Sequence, residues 1–260
     1  MNILISTQTE ILKTKRSASF WLSIIAALFL PTLFSIGYSV EPESLIRQMK
    51  LSGNAWSFHF GNAWQVANAF LFPMFIILIC SLIPQIEYKN NTWKQVYASP
   101  QPLANVYFSK FISIHMMIFF FFMLFNVFLI SFAIIVNLIN SKFQFLDQSI
   151  DWAMLGRLCL KTYISILGIT AIQYWLSFRI KNFIAPVGIG LAMIIASIIL
   201  AQIGWKHIYK FPFAHPFLTL QSIGKNNSLV IENHELNSIG YCAFFLILGY
   251  LDLKFRKERG

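Results

Sequence analysis

The sequence predicts an all-helical integral membrane protein, built as a single domain over residues 1–260. Of the 260 residues, 57% are hydrophobic and only 12% are charged, whereas soluble domains have roughly 45–50% apolar and about 25% charged residues. Phe occurs 27 times, partly in unbroken runs such as Phe119 to Phe122. A soluble core of this size needs no such runs, so we expect lipid to surround much of the chain.

Six segments are long and apolar enough, or nearly so, to cross a hydrocarbon core ~30 Å thick, which takes about 20 helical residues. The third is overlong and is expected to tilt, and the sixth is short and could begin earlier. The predicted spans are approximately Ala18–Tyr38, Val66–Ile86, Phe111–Asn137, Leu158–Phe178, Phe183–Ile203 and Ser238–Leu253.

The first span has an alternative interpretation as a secretory signal peptide, because basic residues precede it. Its apolar run is longer than the ~7–15 residues of a signal core, and Gly37-Tyr38-Ser39 is a poor cleavage site. We therefore expect a retained helix. Before it, Met1–Ser17 places Ile3, Leu4, Ile11 and Leu12 among polar residues, which fits an amphipathic helix in the membrane interface. The alternative is a frayed polar tail.

The distribution of positive charge predicts the orientation. With both termini inside the cell, 12 of the 20 Lys and Arg residues lie in inner segments and 8 in outer ones, and the inner segments are shorter. Positive residues favour the cytoplasmic side, so the sequence predicts a multi-pass protein of the cell (inner) membrane with cytoplasmic termini. The net charge of +10 is then explained by the lipid bilayer, and we expect no nucleic-acid partner.

Motifs for catalysis are missing from the sequence. It contains no HExxH, no GxSxG and no paired Asp residues, and Gly224-Lys225 lacks the remainder of a P-loop. The chain is therefore not expected to be an enzyme by itself. Cys80, Cys159 and Cys242 lie far apart in apolar runs without metal-binding spacing, so no metal and no directly bound cofactor are predicted.

Few ionisable residues fall within the predicted spans. Lys110 and Lys161 lie near span ends, where their long stems are expected to snorkel towards the headgroups. His115 lies about one turn inside the third span. A structural or interfacial role is favoured for it over a proton relay.

The segment Glu87–Lys110 joins the second and third spans and should be cytoplasmic. Thr92 can cap a short helix in which Trp93, Val96 and Tyr97 share one face, and Pro100 ends that helix. Such a face could lie in the headgroup region, where Trp and Tyr are favoured. It could equally fill a groove on a soluble partner.

A family resemblance bears on this choice. An acidic residue, a Trp-Lys stretch, a proline turn and a basic residue at the next span resemble the first cytoplasmic loop of ABC-2 type transporter permeases. The matching residues are Glu87, Thr92-Trp93-Lys94, Pro100, Tyr107 and Lys110. One departure is Asn90-Asn91, where many members have Arg or Gly. The resemblance implies a coupling helix that docks on the ATP-binding subunit, formed by Glu87, Thr92, Trp93, Lys94, Val96, Tyr97 and Pro100.

The last outer segment, Gly204–Asn237, is rich in aromatic residues and contains two prolines. It is similar to the loop between spans five and six in the family, which implies a gate at the outer end of the pathway. An aromatic belt resting on the headgroups is the alternative. His207 and His215 lack the further ligands that a metal site requires. The predicted gate residues are Trp205, Phe211, Pro212, Phe213 and Pro216.

The resemblance implies the permease subunit of an ABC exporter, paired with a second permease and driven by a separate ATP-binding subunit that carries the ATP and Mg. Length and layout are similar to the lantibiotic and bacitracin immunity group, which implies export of a lipophilic or amphipathic substrate such as an antimicrobial peptide. Two alternatives remain at this point: a non-transporting membrane anchor or sensor that recruits a cytoplasmic partner, and an ATP-independent carrier.

Overall fold

The computed structural model describes residues 3–90, 93, 101–225 and 230–255, and every regular element in those ranges is helical. A π-helical turn at Ala67–Leu71 joins two of the helices without a break. Short 3-10 turns lie at Ser141–Phe143, Ile208–Lys210 and Pro212–Ala214. The α-helices are α1 (Ile3–Thr14), α2 (Ala18–Val40), α3 (Pro42–Ser52), α4 (Ala55–Val66), α5 (Phe72–Lys89), α6 (Leu103–Ile139), α7 (Trp152–Arg179), α8 (Ile184–Ile203), α9 (His215–Lys225) and α10 (Asn233–Phe255).

Within the described residues, six helices are long and apolar enough to cross a membrane, as the sequence predicts. They are α2, the continuous α4–π–α5 helix, α6, α7, α8 and α10. Five of the six predicted spans lie entirely inside one of these helices. The fifth span was predicted to start at Phe183, whereas its helix begins one residue later, at Ile184. The six-span architecture follows from the hydropathy of the runs, because a buried or lipid-facing helix satisfies all its backbone polar groups internally.

The second spanning helix is longer than the sequence indicates. It begins at Ala55 rather than Val66, so that Ala55–Lys89 forms 35 continuous residues. Asn54 caps it by accepting a hydrogen bond from the Ser57 backbone amide. The π turn lies just before Pro73, whose missing N–H interrupts the regular helical hydrogen bonds. The first turns mix polar and aromatic residues, so hydropathy alone does not show that they are helical.

The second and fourth spans form the centre of the bundle. In their most apolar windows, 61% and 56% of the residues are buried, against 17–22% for α2, α8 and α10. Aromatic rings fill the centre: Phe75 stacks on Phe121 at a centroid distance of 4.0 Å, and Trp64 meets Phe72 edge to face at 5.2 Å. The three outlying helices therefore present their apolar faces outward, as lipid or a second membrane subunit requires.

The two ends of the bundle differ in construction. At one end, α5 finishes and α6 begins near Glu87, and we call it the Glu87 end. At the opposite end, α7 starts beside Asp151, which caps it by accepting a hydrogen bond from the Met154 amide at 2.8 Å. At this Asp151 end the turn after α6 packs on α4, because the Trp56 indole donates to the carbonyl of Phe145 at 2.8 Å.

Candidate functional site

Four charged side chains from three helices meet at the Glu87 end and are called here the charge cluster: Glu10, Lys13, Glu87 and Lys110. The Lys110 ammonium lies 2.6 Å from Glu10 Oε2 and 2.6 Å from Glu87 Oε1. The Lys13 ammonium lies 2.7 Å from Glu10 Oε1 and 3.2 Å from Glu87 Oε1. Each carboxylate thus contacts both ammonium groups, and the two positive and two negative charges balance.

The cluster is shielded from solvent. The Lys110 side chain is 0% exposed and that of Glu87 2%, whereas Lys13 remains 37% exposed. Burial opposes ionisation of Glu10, but the hydrogen bonds and charges of Lys110 and Lys13 outweigh it, so the pKa of Glu10 lies below its usual value. Burial likewise opposes the charge on Lys13, yet Glu10 and Glu87 raise its pKa. The arrangement therefore keeps Glu10 and Lys13 charged near neutral pH.

The first helix, α1, turns its polar face towards the bundle and its apolar face away from it. The polar residues Ser6, Glu10 and Thr14 face the protein and are nearly buried, whereas Leu4 and Leu12 are 67% and 68% exposed. Such a helix docks by hydrogen bonds and ion pairs and turns its apolar face away from the bundle. The cluster therefore ties α1 to the end of α5 and to the first turns of α6.

The prediction that Lys110 and Lys161 snorkel towards the headgroups is wrong. Both are buried and ion-paired: Lys161 lies 3.1 Å from Glu235 Oε2 and donates to the Val230 carbonyl at 2.8 Å. Their partners are distant in sequence, so no local pattern indicates these pairs. The spacing of Glu10 and Lys13, at i and i+3, was a local signal for one pair of the charge cluster.

Trp93, in the middle of the insert, contacts the ends of two spanning helices. It is 6% exposed and packs on the ring of Tyr88 at 5.3 Å and on that of Phe178 at 5.7 Å. The Tyr88 hydroxyl donates to the Phe178 carbonyl at 3.0 Å. Trp93 therefore bridges the ends of the second and fourth spans. Glu87 is equally buried, in the charge cluster.

Most other residues predicted for the coupling helix cannot be placed. Thr92, Lys94, Val96, Tyr97 and Pro100 lie outside the described residues. The two ends of the insert are described, however, and Glu87 and Lys110 contact each other there.

A second aromatic group extends this end towards the sixth span. The Tyr174 hydroxyl donates to the carbonyl of Tyr107 at 2.6 Å, and the Tyr107 hydroxyl donates to the carbonyl of Leu246 at 3.2 Å. The two rings pack at 5.0 Å. The third, fourth and sixth spans are therefore linked beside the insert.

The predicted gate residues lie at the Asp151 end. Pro212, Phe213 and Pro216 are buried, whereas Trp205 is 40% exposed and Phe211 is partly buried. The 3-10 turn that contains Phe213 packs against α7 and α8. This segment is folded against the bundle, and its role as a gate stays a prediction.

A polar network at the same end was not predicted. The Thr219 hydroxyl lies 2.7 Å from Ser165 Oγ and 3.0 Å from His234 Nε2, and the Ser238 hydroxyl donates to the carbonyl of Ile164 at 2.8 Å. These contacts join α7, α9 and α10. Within the described ranges, no group of three or more His, Cys, Asp or Glu side chains is placed to hold a metal ion.

Comparison with known families places this arrangement in context. Residues 6–197 match the model of the family described as ABC-2 family transporter protein, which covers more than half of the chain and includes the charge cluster and Trp93. The chain belongs to the ABC-2 transporter family. No curated protein and no solved structure gave a significant match. The resemblance to ABC-2 permeases is thus confirmed, and the bacitracin and lantibiotic subgroup stays a prediction.

Membership of the ABC-2 family bears on the role of the charge cluster and its neighbours. An ABC-2 membrane protein is the permease part of an ABC transporter and works with an ATP-binding subunit. The six apolar helices are the multi-pass membrane part of this ABC-2 protein. A link between the membrane helices and a separate ATPase must lie at one end of the bundle.

Proposed function

We propose that this ABC-2 permease exports a lipophilic or amphipathic substrate, and that the energy of ATP enters through the insert between the second and third spans. The excess of Lys and Arg in the inner segments supports a cytoplasmic Glu87 end and cytoplasmic termini. The exposed leucines of α1 support a position for that helix in the inner interface. A soluble ATPase would then meet the Glu87 end.

The contact of Trp93 with Tyr88 and Phe178 is the observation that carries this proposal. Because the Trp93 ring is buried against the ends of two spans, a force applied to the insert acts on those spans directly. The ion pair between Glu87 and Lys110 joins the two ends of the same insert. Docking of an ATPase would therefore move the second, third and fourth spans together.

The proposed mechanism follows from these links. ATP binding closes a pair of ATPase subunits, the insert moves, and the spans tilt so that a path between two permeases opens at the Asp151 end. The buried turn around Phe213 then acts as the outer gate. The apolar faces of the outlying helices favour a cargo that partitions into the membrane, and the resemblance to the peptide-immunity group supports an antimicrobial peptide as that cargo.

Co-purification with the ATPase tests the proposal first. A tagged permease should retain a P-loop ATPase in detergent, and a chain that never does so would contradict the whole assignment. Trp93→Ala removes the ring that joins the insert to Tyr88 and Phe178, so ATPase retention or coupled transport should weaken by about tenfold. Trp93→Phe keeps an aromatic ring and should be milder.

Trp152→Ala is the matched control, because Trp152 is 65% exposed at the Asp151 end. It should leave ATPase retention and transport unchanged. Unchanged assembly and unchanged transport in Trp93→Ala, with folding verified by its melting temperature, would exclude the docking role. Transport that continues without ATP would instead favour a secondary carrier.

A further inference from the structure

A cavity of about 580 Å³ lies at the Asp151 end between α4, α7 and α9. Its polar lining combines a hydroxyl, three amides, one carboxylate and one guanidinium, from Ser57, Asn62, Gln65, Gln221, Asp151 and Arg157. A cavity in which several polar groups converge beside an apolar wall is a candidate ligand site.

Arg157 forms no ion pair with any of the described residues. Its Nε atom is buried and has no hydrogen-bond partner there. Asp151 lines the same cavity, but its carboxylate accepts from the Met154 amide and forms no ion pair with Arg157. The buried lysines Lys110 and Lys161 are, in contrast, both paired. A partly buried guanidinium without a counter-charge is costly unless an anion binds it.

The position of Arg157 along α7 indicates which class of anion lies within its reach. Arg157 lies 21 residues before Phe178 along α7, which corresponds to ~32 Å of helix. Since Phe178 lies at the Glu87 end, Arg157 lies about one hydrocarbon thickness away, which is ~30 Å. That is the level of the opposite headgroups, where phospholipid phosphates lie.

The remaining lining suits the rest of a lipid molecule. Phe58, Leu158, Phe217 and Leu220 form an apolar part of the wall that can contact the first methylene groups. The neutral amides can hydrogen-bond the glycerol and ester oxygens. Gln65 stands two residues before the π turn, and such turns occur frequently at functional sites.

We propose that this cavity binds the headgroup of a phospholipid, with the phosphate held by the Arg157 guanidinium. Guanidinium and phosphate match in charge and in bidentate geometry. The bound lipid supplies the ion-pair partner that Asp151 does not provide to Arg157. This site requires neither ATP nor the partner ATPase, so it stands apart from the transport proposal.

Lipid binding to the purified permease tests the site. Native mass spectrometry, or titration in detergent, would compare phosphatidylglycerol with diacylglycerol of the same acyl chains. We expect phosphatidylglycerol to bind preferentially, and Arg157→Gln to weaken it by about tenfold or more, since hydrogen bonds to charged groups are the strong ones. Arg157→Lys keeps a cation and should bind with intermediate affinity.

Arg47→Gln is the matched control, because Arg47 is an exposed arginine on α3 near the same end of the bundle. It should leave lipid binding unchanged. Equal losses in both Gln variants would mean general surface attraction, and equal binding of diacylglycerol would mean an acyl groove only. Displacement of the lipid by a soluble peptide carboxylate would assign the cavity to another ligand. Each of these three results would overturn the proposal, as would unchanged affinity in a folded Arg157→Gln.

Discussion

Replacing Lys110 by methionine tests whether the charge cluster holds the Glu87 end together. Lys110→Met removes one ammonium that lies 2.6 Å from each of two carboxylates, while Lys13 alone stays to balance Glu10 and Glu87. One buried negative charge is then uncompensated. Removing one partner of a buried pair costs about 3–5 kcal/mol, which corresponds to a drop in melting temperature of roughly 10 °C for a chain of this size.

A double-mutant cycle separates the charge effect from the loss of packing. Glu87→Gln neutralises the carboxylate that Lys110→Met leaves behind, so the double variant should be more stable than the sum of the single changes by about 2–3 kcal/mol. The assay is thermal unfolding of the purified protein in detergent, followed by size-exclusion chromatography. Additive losses in the double variant would refute the reasoning.

The ion pair of Arg179 with Asp252 provides the matched control. It is equally short, at 2.7 Å, but its side chains are 54% and 26% exposed. Exposed pairs contribute about 0–1 kcal/mol, so Arg179→Gln should change the melting temperature by only a few degrees. A loss as large as that of Lys110→Met would show that burial does not set the energy of these pairs.

Three further predictions follow from the structure. Burial opposes ionisation of Glu10, but the ion pairs lower its pKa below the ordinary value of 4.5. The stabilisation by ionised Glu10 is therefore complete above that pH and is lost as the pH falls through the lower folded-state pKa. Glu10→Gln should remove this acid-dependent part of the melting temperature. Gly190→Ala places a Cβ 2.8 Å from a neighbouring isoleucine and should cost about 1–3 kcal/mol of stability, whereas Gly188→Ala, with open space around it, should cost little. In a cysteine-free background, Ser149→Cys, at an exposed position, should react with an impermeant thiol reagent in intact cells. Asn182→Cys, also at an exposed position, should react only after permeabilisation. The reverse pattern would invert the proposed topology.

Hydropathy was sufficient to locate the membrane helices. The runs around Phe121 and Ile194 are apolar throughout, and a spanning helix needs no partner to satisfy its backbone. The prediction missed the first turns of the second span, because Ser57, His59 and Asn62 dilute the apolar signal there. Asn54, a residue type that often caps helices, was the sequence signal for this earlier helix start.

The candidate site was harder to predict for a physical reason. Lys110 has one partner 23 residues away and another 100 residues away in sequence, and such pairing depends on how helices pack rather than on local spacing. The Trp-Lys stretch assigned Trp93 to a coupling helix, which stays a prediction. Its burial against Phe178 could not be anticipated, since an amphipathic face can turn towards a partner or towards the bundle.

The length of α6 has a mechanical consequence. Its 37 residues form one continuous rod of ~55 Å, with Lys110 near one end and Asn137 near the other. Asn137 Oδ1 accepts from the Phe145 amide at 2.8 Å, so the far end is attached to the turn that packs on Trp56. A rigid rod of this length that pivots by about 5° displaces its far end by roughly 5 Å. A small rotation of α6 at the charge cluster therefore displaces its opposite end, on the other side of the membrane, and no side-chain relay between the two faces is required.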